Sequence, residues 1–107
     1  MTDRELLEMA AKAGGLEVDC AFTTGDLHVW ENRKLQLLRC WNPLVSDEDA
    51  FRLAVRLFIT VSHDIGMDTV IASFPNYPAA AESAGHDSCA AARRAIVRVA
   101  AKIGSRM

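Results

Sequence analysis

Apolar and polar positions along this chain follow two different periods, and the changes of period mark its elements. Leu6, Met9, Ala10 and Ala13 recur at the spacing of one helix face. Thr2 and Glu5 stand ahead of them at capping-box spacing, and Gly14-Gly15 follows as a left-handed stop. A first helix is predicted over about Asp3–Ala13. From Leu16 the period falls to two: Val18, Cys20 and Phe22 alternate with Glu17, Asp19 and Ala21, as in a half-exposed strand. "TTGD" reads as a turn, "LHVWEN" as a second strand, "NRK" as a short connection and "KLQLLRCW" as a third strand. Connections this short favour an antiparallel meander.

"WNPLVSDEDAFRL" breaks that pattern. Asn42-Pro43 ends the strand, because proline has no N–H to give to a ladder. Ser46 is placed as an N-cap, and Asp47, Glu48 and Asp49 fill a first turn where the helix dipole favours negative charge. The acidic cluster needs no ligand to explain it, and Trp41 is expected to close one end of the core beside Pro43. The second helix is predicted over about Asp47–Phe58. Its apolar positions cover half of the wheel, which predicts contact with more than one neighbour, taken to be the sheet and the first helix.

"ITVSH" and "DTVIASF" read as two further strands around the turn "DIGM", and "PNYPAAAESAGHD" as a mobile connector. The last helix is predicted over about Ser88–Ile103, with Cys89, Ala92, Ile96, Val99, Ala100 and Ile103 facing inward and Gly104 as its stop. The predicted order is α-β-β-β-α-β-β-α. Helices one and two on one face and helix three on the other make an α+β fold, a three-layer α/β/α sandwich on a mostly antiparallel sheet of about five strands. Residues 1–107 form a single domain.

Composition adds limits. Of 107 residues, 50% are hydrophobic and 24% charged, enough for a core that needs no metal or disulfide. The formal charge of −2 argues against bulk attraction to polyanions. No run approaches the ~18 apolar residues of a membrane span, and the acidic opening "MTDRELLEM" lacks a signal-peptide core. A cytoplasmic protein without membrane contact is expected. Cys20, Cys40 and Cys89 are odd in number and far apart, which predicts free, buried thiols.

"WNPLVSDEDAFRLAVRL", the ending "AARRAIVRVAAKIG" and the opening "MTDRELLEMAAKAGG" together resemble small proteins of tailed phages and prophages, the phage α/β/α (ABA) sandwich domain family. The likeness covers about half of the residues. It implies the same sandwich and a home in the cytoplasm of a bacterial host, and it carries no activity, substrate or catalytic residue.

Candidate chemistry is sparse. His86, Asp87 and Cys89, joined by His63-Asp64 if both loops lie at one sheet end, have the residue types of a metal site. Asp87 or Ser88 is the expected cap of the last helix, however, so neither metal nor other cofactor is predicted. No G-x-S-x-G, P-loop or G-x-G-x-x-G occurs, and no catalytic role is expected. The first five elements copy the order of double-stranded RNA-binding domains, yet "SDED" stands where those carry lysines for phosphates. A second nucleic-acid candidate is the stripe Arg94, Arg98 and Lys102, also readable as a solvated face that complements the helix C-terminus. The reading preferred from sequence is a non-catalytic protein-interaction module that engages a host or phage protein, itself a monomer or weak homodimer. Trp30 and Tyr77 are its contact candidates, because aromatics dominate interface energetics. Trp41, Asn42, Pro43 and Ser46 form its structural motif.

Overall fold

A computed structural model describes residues 2–20, 27–32 and 37–107. Helix α1 (Asp3–Ala13) opens on Thr2, whose Oγ1 accepts from the Glu5 N–H at 3.2 Å. It ends through Gly14 and Gly15, the latter at φ +67°. Strands β1 (Val18–Cys20), β2 (Leu27–Asn32) and β3 (Leu37–Cys40) form the antiparallel meander β1-β2-β3. The TTGD turn, the NRK connection and the first residues of the predicted third strand lie outside the described residues. Leu27 and Val29 are buried on the inner face, while His28 and Trp30 point the other way.

Helix α2 (Asp47–Leu57) follows a turn held by one buried carboxylate. Ser46 Oγ accepts from the Asp49 N–H at 3.2 Å and caps the helix. The Asp49 side chain turns back: Oδ1 accepts from Arg39 Nη1 at 2.8 Å and Oδ2 from the Asn42 N–H at 3.0 Å. Asn42 Oδ1 in turn accepts from the Leu44 N–H at 3.0 Å. Strand β3, the Asn-Pro turn and helix α2 are thus locked together by a group only 6% exposed. Trp41 and Pro43 are buried beside it.

Beyond α2 come β4 (Thr60–Asp64), β5 (Thr69–Ser73), β6 (Ala80–Ser83) and helix α3 (Ser88–Ser105). The three strands form a second antiparallel sheet with β5 in the centre. Two three-stranded sheets therefore replace the single five-stranded sheet expected from sequence, and the order is α-β-β-β-α-β-β-β-α. The added strand lay hidden in the Ala-rich connector. Alanine and glutamate have low strand propensity, and pairing of Ala80–Ser83 with β5 makes the strand.

The helices also differ from expectation. Helix α3 packs on α1, α2, β5 and β6, so it lies against the other two helices and not across a sheet from them. Small residues permit this: Ala91, Ala95, Val97, Val99, Ala100 and Ala101 are buried around its circumference. Gly104 is no stop, because α3 runs through it. A Cβ built there would lie 1.9 Å from the Met9 carbonyl oxygen, so glycine is what lets α1 approach.

Two stability tests follow. Gly104→Ala should cost about 2 kcal/mol or more despite alanine's better helix propensity, since backbone must move. Urea denaturation measures it, and an unchanged midpoint would refute the close approach. Asp49→Ala should cost about 3 kcal/mol, because it removes the carboxylate that the Arg39 guanidinium and the Asn42 N–H both bind. Ser46→Ala, a cap loss alone, should cost about 1 kcal/mol; equal losses for the two would mean that the Asp49 side chain does not tie strand to helix.

Candidate interaction surface

Helix α2 has more apolar residues than it can bury. Ala50, Leu53 and Ala54 face the core, whereas Phe51, Val55 and Phe58 are 68, 57 and 83% exposed. Their spacing of four and three residues makes a second stripe beside the buried one. Helix α3 covers β5 and β6 but not β4, whose five residues are all exposed. Between α2, β4 and the start of α3 an open groove of about 510 Å³ remains. Phe51, Val55, Phe58, Val61, Ala92 and Ile96 are among its lining residues. Its polar rim is internally neutralised, with Asp47 paired to Arg93 at 2.5 Å. Nearby Glu48 pairs with Arg52 at 2.6 Å.

Phe58 concentrates the cost of this surface. It caps α2 in the left-handed region at φ +58°, where its N–H reaches the carbonyls of Ala54 and Val55. Glycine serves such a position without strain, and a bulky residue there is an outlier. A side chain that is both strained and 83% exposed contributes nothing to the isolated fold. Such strain persists only where the surrounding structure fixes it, and it gathers at binding and switch sites.

Beside the groove, β4 offers an open sheet edge. Its pairing with β5 is regular from Thr60 to Asp64, with no register shift, and it holds no proline, lysine or arginine. These are the devices that commonly blunt an edge. The opposite edge differs: Arg98 Nη1 donates to the Ala81 carbonyl of β6 at 3.3 Å. Past β4, the hairpin tip exposes Ile65 and Met67 at 86 and 75%.

The residues singled out from sequence lie elsewhere. Trp30 is half-buried on the outer face of the first sheet, and its Nε1 donates to Asp19 Oδ2 at 2.6 Å. Tyr77 belongs to the β5–β6 connection, edge-on to Phe74 at 5.4 Å between ring centroids and under the Arg106 guanidinium at 4.7 Å. Arg94 pairs with Asp3 at 3.0 Å and Arg98 with Glu82 at 2.8 Å, so two cations of the predicted stripe bind this chain's own carboxylates. Lys102 is half-buried in the last turns of α3.

Asp87 caps α3, its Oδ1 accepting from the Ala90 N–H at 2.9 Å. His63 lies 3.7 Å from Asp68 and shares a shallow depression with Cys89, while His86 is exposed on the preceding turn. Among the described residues no three His, Cys, Asp or Glu side chains lie close enough together to hold a metal ion. No described helix is long and apolar enough to cross a membrane.

The thiols require correction. Cys40 and Cys89 are exposed, not buried, and the Cys20 side chain lies outside the described residues. Cys40 sits on the outer face of β3 opposite His28, with Sγ 3.2 Å from Nε2. Cys89 lines the uncovered groove. Sequence reasoning missed the groove because it took every apolar residue of α2 as buried. The legible signal was an apolar arc too wide for one neighbour, together with a phenylalanine where a helix-stop glycine belongs.

Compared with family models, curated proteins and solved structures, the chain matches none. Among the described residues the surface is apolar and open, and β4 borders it as an edge strand.

In dilute native protein, Cys40 and Cys89 should both react within minutes with an aromatic disulfide reagent. If both thiols react only after denaturant is added, the exposed groove wall and outer sheet face are misplaced.

Proposed function

We propose that this chain is a phage or prophage accessory protein, acting in the cytoplasm of a bacterial host as a non-catalytic protein-interaction module. Its contact surface is the groove of α2, β4 and α3. Phe58 carries the reading, because its strain and its exposed ring are both costs that only an occupied groove offsets. A large open apolar surface with a neutralised rim suits a protein better than a small polar substrate or a phosphate backbone. The resemblance of the Trp41–Leu57 and Ala91–Gly104 segments to the phage α/β/α sandwich family supports the phage assignment.

Phe58→Gly separates stability from function. It should raise the denaturation free energy of dilute protein by about 1 kcal/mol, through release of the left-handed strain. It should also weaken retention of the protein partner. A variant less stable than the parent would mean that the phenyl ring packs within the monomer.

The functional test is an affinity pull-down from host lysate, with and without nuclease, using the parent and Phe51→Asp. A stoichiometric protein (a second copy of the chain included) that survives nuclease and is lost with Phe51→Asp supports the module. Recovery of nucleic acid alone, abolished when Arg94, Arg98 and Lys102 become Ala, overturns it in favour of a nucleic-acid-binding protein.

A further inference from the structure

We infer that the occupant of this surface is a second copy of the chain, joined edge to edge through antiparallel β4 strands about a two-fold axis at Ser62. The inference rests on the interaction reading above and names its partner.

The pairing arithmetic favours self-association. An antiparallel pair centred on Ser62 matches all five residues of β4: Thr60 with the second copy's Asp64, Val61 with its His63, and Ser62 with its Ser62. No like charges stand opposite each other, and the threonine hydroxyl can donate to the carboxylate. Because side chains alternate along a strand, this register keeps the grooves of both copies on the same side of one six-stranded sheet. Shifting the pairing by one residue would put them on opposite sides.

The same axis gives the exposed apolar groups partners. Phe58, just before β4, falls beside the other copy's hairpin tip, where Ile65 and Met67 flank Gly66. The unpartnered ring of one copy therefore meets the unpartnered aliphatic tip of the other, twice by symmetry. Phe51, Val55, Phe58, Val61, Ile65 and Met67 are 68, 57, 83, 42, 86 and 75% exposed. At roughly 150–200 Å² for a large side chain, they present on the order of 700 Å² per copy. A standard-size interface buries ~800 Å² per partner. Paired β4 backbone adds to the apolar part.

Charge fits as well. Asp47 and Glu48 near this face are paired within the chain to Arg93 and Arg52, and Asp64, the one carboxylate of β4, stands opposite a threonine and not another acid in this register.

Sedimentation analysis over a concentration series is the first test, on the whole chain. A dimer is expected in the micromolar range, lost in Val61→Lys, which alters a 42%-exposed position and should leave the melting temperature within a few degrees. The second test uses a background with Cys20, Cys40 and Cys89 changed to Ser. There Ser62→Cys should give a disulfide-linked dimer on mild oxidation, and Thr60→Cys should not, being about four residues from its own symmetry mate, or roughly 13 Å.

A monomer at every concentration, or equal cross-linking at both positions, overturns the second-copy assignment. If that monomer still retains a different protein through Phe51, the interaction module stands and only its partner is wrong. If it retains no protein, both readings fail.

Discussion

The close approach of α1 to α3 at Gly104 sets the arrangement of the whole molecule. A helix that is small all round can be packed on several sides, and α3 meets α1, α2, β5 and β6. Ordinary amphipathic helices bury one stripe and leave the other to water. Here Arg94 and Arg98 keep to the narrow remainder of α3, tied to Asp3 and Glu82 of the flanking elements. Contact on so many sides has a geometric consequence. A helix seated over β5 and β6 leaves the third strand of that sheet bare.

The Asp49 carboxylate decides what happens on the other side of the bare strand. By binding Arg39 and the Asn42 N–H it fixes the direction in which α2 leaves the first sheet. Rotation of α2 would bury Phe51 and Val55, but it would pull Asp49 out of that lock and break its bonds to Arg39 and the Asn42 N–H. Losing a charged hydrogen-bond partner in a buried site costs several kcal/mol. Two exposed apolar side chains cost about 1.5–3 kcal/mol apiece at most. The two terms are of similar size, so the polar lock opposes that gain and keeps Phe51 and Val55 on the groove wall.

Local periodicity made much of this legible. The three helices, the first meander, the cap at Ser46 and the β4–β5 hairpin all follow from spacing and turn chemistry. What stayed hidden depends on partners distant in sequence. Ala80–Ser83 has no strand character of its own and becomes β6 only beside β5. Gly104 looks like a helix stop until Met9 is known to lie against it. Phe51 and Val55 cannot be told from Leu53 and Ala54 by hydrophobicity, since all four belong to one apolar arc. Only the direction of α2, set by a buried carboxylate that looked like a simple dipole partner, separates core from groove. Cys89 was misread for the same reason: its helix face is apolar, and the face happens to open onto the groove.

A chain of this size has little stability to spare, so the placement of its costs is informative. Three of them, the left-handed Phe58, the exposed apolar stripe on α2 and the bare strand β4, could each be removed by a single ordinary substitution: a glycine, a polar residue or a lysine. They adjoin one another. Arg98 binds a carbonyl of the β6 edge, and among the described residues the other positive-φ positions outside glycine are Asp68 and Asn76, types that tolerate that backbone. Costs scattered at random would carry no message. Costs gathered on one face, next to unpaired strand backbone, are offset together when that face is covered, and a covering protein strand removes the edge and the exposed side chains in the same step.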